Sequence, residues 1–120
     1  STGLPVHHAI KASIDMEKEG IGVAVYDFLT VKPLDGEAIR DAAKASFGIL
    51  VIEDHVMWGG LGMAVAHFLA KERINTPIHF INLGDNFGRS GKYEDLYRAY
   101  GLDAEGIKGK ILEILKSNEK

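Results

Sequence analysis

The chain reads as an α/β domain with a mostly parallel sheet between helices. Three observations predict this. Helical and strand-like segments alternate along almost the whole length. "GILVIE", 48 to 53, is a continuous apolar run, as expected of a strand buried on both faces. Each presumed strand is followed by a polar, Gly-containing loop and then an amphipathic stretch, the pattern of parallel strands joined by crossover helices.

Taken in order, residues 5 to 18 have Val6, Ala9, Ile10, Ser13 and Ile14 at helical spacing. Pro5 suits the first turn and Gly20 the stop. "IGVAVYDF", 21 to 28, is rich in β-branched and aromatic residues and predicts a strand. Pro33 breaks its continuation, and Asp35 is a good N-cap for a helix over about 36 to 45. After the apolar run, residues 60 to 72 predict a helix with Leu61, Ala64, Val65, Phe68 and Leu69 inward. "PIHFINL", from Pro77, predicts a third strand. A polar loop follows, then a short helix "YEDLYRAY" stopped by Gly101. Asp103 caps a last helix over 104 to 117, with Ile107, Ile111, Ile114 and Leu115 as its stripe.

The 120 residues suit one domain, 1 to 120, with 46% apolar and 26% charged residues, a soluble globular profile. A net charge of -3, from 14 basic and 17 acidic residues, is too mild to steer the chain toward nucleic acid or an anionic membrane. The absence of cysteine excludes disulfides, thiolate catalysis and Cys-based zinc sites. It also permits a cytoplasmic location, which is the expectation. Three strands are few for this much helix, and "STG" at the front reads like the end of a strand. A strand truncated upstream, in a fragment of a longer chain, is therefore expected, with a sheet edge left prone to dimerise or aggregate.

In an open parallel sheet, ligands sit beyond the carboxyl ends of the strands. The three loops there hold Asp27, Thr30, Lys32, Glu53, Asp54, His55, Asp85, Asn86, Arg89 and Ser90. Gly60-Leu61-Gly62 matches the first two glycines of a dinucleotide fingerprint. Val65 stands at the third, and "DHVMW" separates the glycines from the strand, so the fingerprint fails. No Lys-Ser/Thr follows, so it is no P-loop either. The start of this helix could still hold a sulfate or phosphate, with His55 and Arg89 near. The plainer reading is that the glycines let the chain turn closely over the sheet edge.

Metal and nucleophile signals are weak. His7 and His8 are adjacent, and His67 and His79 are isolated, so none has the i,i+4 spacing of a helical metal pair. Asp54 and His55 would need a nucleophile, and no G-x-S-x-G elbow exists. No catalytic residue, cofactor ligand or metal ligand is assigned. Trp58 and Phe87 stand on loops at the same edge, either as a contact surface or tucked over the sheet. Tyr93, Leu96 and Tyr97 could form one packed helix face.

Lys32 to Asp35 (K-P-L-D), Glu53 to His55 (E-D-H), Gly59 to Gly62 (G-G-x-G), Asp85 to Gly91 (D-x-F-G-x-S-G) and Tyr100 to Asp103 (Y-G-L-D) together resemble the C-terminal domain of transketolase. Jointly the five spaced motifs are specific, and the resemblance covers essentially the whole chain. It implies a three-layer α/β/α domain with a mixed sheet, whose early antiparallel strand lies largely before residue 1. It also implies a parent enzyme that uses thiamine diphosphate and Mg²⁺ to move a two-carbon ketol unit between sugar phosphates, in the pentose phosphate pathway. In that family the cofactor sits between two other domains. The implied role here is packing against those domains or a separate subunit, and assembly of a homodimer. Candidate contact or anion-site residues are His55, Gly59, Gly60, Gly62, Asp85, Arg89 and Ser90. The related 1-deoxy-xylulose-5-phosphate synthases and 2-oxo acid dehydrogenase beta subunits more often look like Glu-Glu-Gly or Glu-Glu-Ala where this chain has Glu53-Asp54-His55, which favours transketolase proper, as one chain or split in two. The rival roles are a partner-docking module of one of those relatives and a stand-alone anion-binding domain.

Overall fold

Residues 1–85 and 91–118 are described by a computed structural model. Seven elements follow in order: α1 (Pro5–Lys18), α2 (Gly36–Ala45), β1 (Ile49–Ile52), α3 (Leu61–Lys71), β2 (Ile78–Ile81), α4 (Tyr93–Tyr100) and α5 (Ala104–Asn118). β1 and β2 pair in parallel, with Ile49 opposite Ile78 and Ile52 opposite Ile81. Apolar side chains cover both sheet faces, which is why these strands read as unbroken hydrophobic runs. On one face Ile52 and Ile81 pack with Ala9 and Ala12 of α1, Tyr97 of α4 and Ile107 of α5. On the other, Val51 packs with Ile39 of α2 and with Leu61, Val65 and Leu69 of α3. The result is the expected α/β/α layering around a parallel sheet.

The expected caps form. The Asp35 carboxylate accepts from the Ala38 N–H at 3.1 Å, and that of Asp103 from the Gly106 N–H at 2.9 Å. Gly101 ends α4 in the left-handed region at φ 72°, a conformation that suits glycine. A Cβ on Gly106 would come within 2.5 Å of the Gly101 backbone, so α5 can start this close to the end of α4 only through glycine.

Two expectations need correction. The inward face of α1 is Val6, Ala9, Ala12 and Met16, whereas Ile10 and Ile14 are exposed. Residues 21 to 28 occupy the sheet layer but form no ladder with β1, so the described sheet has two strands. Val25 packs with the α1/α5 core and Phe28 with the α2/α3 core, the alternation of an extended segment. Among the described residues its main chain bonds α1 where the Ile21 N–H donates to the Met16 carbonyl at 3.0 Å, and beyond that it meets Ser1. The Ser1 nitrogen donates to the Tyr26 carbonyl at 3.0 Å, and the Phe28 N–H donates to the Ser1 carbonyl at 2.8 Å. This is the bond pattern of a parallel pair between Ser1 and Asp27, so the direction at Ser1 is parallel rather than the antiparallel one the resemblance implied.

Candidate functional site

The carboxyl end of β1 is built around a buried acid. Glu53 is only 2% exposed, and a carboxylate so placed requires partners. It finds them at the start of α3. The Leu61 N–H donates to its Oε1 at 2.9 Å and the Gly62 N–H to its Oε2 at 2.6 Å. Two helix-end donors are thus satisfied by a negative charge on the positive end of the helix dipole. The glycines make room for it. A Cβ on Gly60 would collide with the Glu53 carboxylate, and one on Gly62 would lie 2.9 Å from both Glu53 Oε2 and the Phe80 ring. Gly59 turns the chain at φ 77°.

The loop between β1 and α3 is tied back to the segment after β2. The Leu83 N–H donates to the His55 carbonyl and the Met57 N–H to the Gly84 carbonyl, each at 2.9 Å. Trp58 Nε1–H donates to Asp85 Oδ1 at 3.1 Å, although the Trp58 side chain stays largely exposed. Nδ1–H of His55 bonds the neighbouring Val56 carbonyl at 2.7 Å. Asp54 Oδ2 accepts from the Tyr97 hydroxyl at 3.0 Å. Burial foremost, and then this bond to Asp54, push the Tyr97 hydroxyl well above the ordinary tyrosine range. Tyr97 stacks with Tyr93 at 4.3 Å between centroids, and the Tyr93 hydroxyl lies 3.2 Å from His8 Nε2.

A cleft of about 340 Å³ opens beside this loop, bordered by Thr2, Leu4, Glu53, Asp54, His55 and Gly60. It brings together His55, Gly59 and Gly60, while Asp85 joins the far side of the loop through Trp58. Arg89 and Ser90, with Asn86 and Phe87, lie outside the described residues. The helix start suggested for an anion already carries the Glu53 carboxylate on two of its N–H groups. Among the described residues no group of three or more His, Asp or Glu is placed to hold a metal ion. No helix among them is long and apolar enough to cross a membrane. His67 is exposed, and Nε2 of His79 is buried with no hydrogen-bond partner among the described residues.

Two features escaped the sequence reading. The reach of Glu53 across to Leu61 and Gly62 has a signal in the sequence, an acid at a strand end ahead of Gly-Gly-x-Gly, but the two had not been linked. The Tyr97–Asp54 bond joins residues 43 positions apart, and no local pattern announces it.

The model of the transketolase C-terminal domain family matches residues 1–107. A Methanocaldococcus jannaschii protein described as a transketolase C-terminal section is 38% identical over 97% of this chain, which covers 36% of that protein. One subunit of the apulose-4-phosphate transketolase of Phocaeicola vulgatus is 35% identical, with the same shares of the two chains covered. The 1-deoxy-D-xylulose-5-phosphate synthase of Aquifex aeolicus is 35% identical over 97% of this chain, but only 18% of that enzyme is covered. Among solved structures, an inactive beta4 tetramer of a split-gene transketolase superposes with a TM-score of 0.83 at 30% identity, over 96% of this chain and 36% of that one. The chain thus spans about a third or less of the length of these relatives. With this match over most of its length, the chain belongs to the transketolase C-terminal domain family.

Proposed function

We propose that the chain is the C-terminal part of a thiamine-diphosphate- and Mg²⁺-dependent transketolase that moves a two-carbon ketol unit between sugar phosphates. Within it this part does no chemistry. It packs against the cofactor-binding domains and supports a homodimer, whether the parent is one chain or split. One observation carries the reading: three acids at the carboxyl edge are each engaged by a neighbouring group, and apolar side chains stand exposed beside them. Glu53 caps α3, Asp54 holds Tyr97, and Asp85 holds Trp58. Val56, Met57, Trp58, Met63 and Phe80 are left exposed at the same end. Exposed apolar groups gathered in this way suit a contact surface better than a reaction centre. A split-gene transketolase that forms a tetramer is a structural neighbour, which also favours assembly.

The test is made in the parent enzyme. Trp58→Asp and Phe80→Asp should shift its sedimentation toward smaller species, while the turnover per assembled site stays near that of the unaltered enzyme. Intact assembly with turnover lost would sink the proposal, because it would place these residues in the chemistry.

A second reading has support in the synthase relative, which shares this part at 35% identity. The parent would then condense its substrates to 1-deoxy-xylulose 5-phosphate, and an assay of that product separates the two. The anion-binding alternative is weakened by the Glu53 carboxylate at the helix start, and calorimetry with phosphate should give no heat at millimolar ligand.

A further inference from the structure

The loop from β1 to α3 and the segment after β2 run side by side. The Leu83–His55 and Met57–Gly84 main-chain bonds hold them together, with the Trp58–Asp85 bond beside these. The pair presents Val56, Met57 and Trp58 as exposed apolar side chains, the last 55% exposed. It also presents carboxylates without a cation. Asp54 and Asp85 are exposed and Glu53 is buried, and neither stretch, 53 to 60 or 82 to 85, contains a lysine or an arginine. No ion pair among the described residues includes any of the three acids. Water satisfies exposed acids as long as the surface stays wet. A partner that covers the apolar side chains strips that water away, and a carboxylate left unpaired there would oppose docking. What covers this surface therefore brings a positive charge.

The cleft beside the loop shows where that charge goes. Its volume of about 340 Å³ is at the small end of the range of about 300–1,000 Å³ for ligand pockets. Leu4 and Val31 supply apolar lining, and Asp54 and His55 supply acceptors. The Tyr97 hydroxyl fixes Asp54 by donating to Oδ2 at 3.0 Å, and Oδ1 makes no bond among the described residues. The bond from His55 Nδ1–H to the Val56 carbonyl leaves Nε2 as an acceptor in the neutral ring. Arginine suits such a place better than lysine. Its guanidinium pairs with a carboxylate and also lies flat on an aromatic ring, and its stem covers apolar surface.

We propose that this edge docks a segment of the cofactor-binding part that presents an arginine between apolar side chains. The guanidinium enters the cleft against Asp54, and its apolar neighbours cover Val56, Met57 and Trp58. The inference rests on the contact role proposed above and names the chemistry of the partner.

The experiment is read on the chain alone, from amide and indole shifts in titrations with two probes. One is acetyl-Leu-Arg-Leu-amide, and the other has citrulline in place of arginine, which keeps the shape and loses the charge. The arginine probe should shift the amides of Asp54, His55 and Gly60 and the Trp58 indole N–H, and bind about tenfold tighter than the citrulline probe. Asp54→Asn, which keeps an acceptor for Tyr97, should bring the two affinities together. Glu113→Gln on α5 should leave the difference unchanged. Equal affinity of the two probes for the unaltered chain, or no shift with either at millimolar concentration, would overturn the proposal. So would a difference that survives Asp54→Asn, or binding seen only in Arg89→Gln, which would make this chain's own arginine the occupant. The parent enzyme separates the two ideas: intact assembly with turnover lost would sink the contact role and leave these shifts as they are.

Discussion

Glu53 organises the edge of the sheet from a single side chain. Its charge is tolerated because two N–H groups and the helix dipole replace water. Glu53→Ala should therefore cost about 2–3 kcal/mol in denaturant unfolding, the range for losing hydrogen bonds to a charged group. Gly62→Ala should cost about 1–3 kcal/mol, since its Cβ would need Glu53 or Phe80 to move. An unchanged midpoint in either variant would refute the geometry at this turn. Tyr97 makes a pH-dependent contribution. Its folded pKa is raised above the ordinary 10.0, so the stabilisation is complete below that value and fades as pH rises beyond it. Tyr97→Phe should flatten stability across that alkaline range, and an unaltered slope would count against the Asp54 bond. The sequence showed both the acid and the glycines of this turn. It could not show that the chain doubles back to bring them together, since the loop between them has no regular period.

At the scale of elements, most boundaries were legible because they rest on local chemistry. Asp35, Asp103 and Gly101 act on their own helices, and a cap is visible wherever its helix is. The face of α1 was not. The expected set Val6, Ala9, Ile10, Ser13 and Ile14 and the observed set Val6, Ala9, Ala12 and Met16 both have helical spacing and share Val6 and Ala9, and the larger Ile10 and Ile14 made the first more conspicuous. Beside Val6 and Ala9 the structure turns the small Ala12 and the fully buried Met16 inward in place of Ile10 and Ile14. Met16→Ala should cost about 2–5 kcal/mol and Ile14→Ala about 0.5 kcal/mol or less in unfolding measurements. The reverse order would restore the other face. Residues 21 to 28 have the composition and alternation of a strand, but a strand also needs a neighbour along both partners' main chains. Composition cannot report on that.

Across the whole molecule, two cores on opposite faces of one parallel sheet explain the layering read from the sequence. The candidate site was legible as a place, the carboxyl edge, and less so as a purpose. Its motifs identify the family through backbone turns and caps, which are structural needs, rather than through reactive groups. Membership of the transketolase C-terminal domain family agrees with that character. If this part of the enzyme assembles and does not react, the 120-residue chain by itself should be inert toward the cofactor. Thiamine diphosphate with Mg²⁺ is titrated into it by calorimetry, and the same sample is assayed for ketol transfer. No binding heat and no turnover are expected; micromolar affinity for thiamine diphosphate, or measurable transfer, would contradict the assignment.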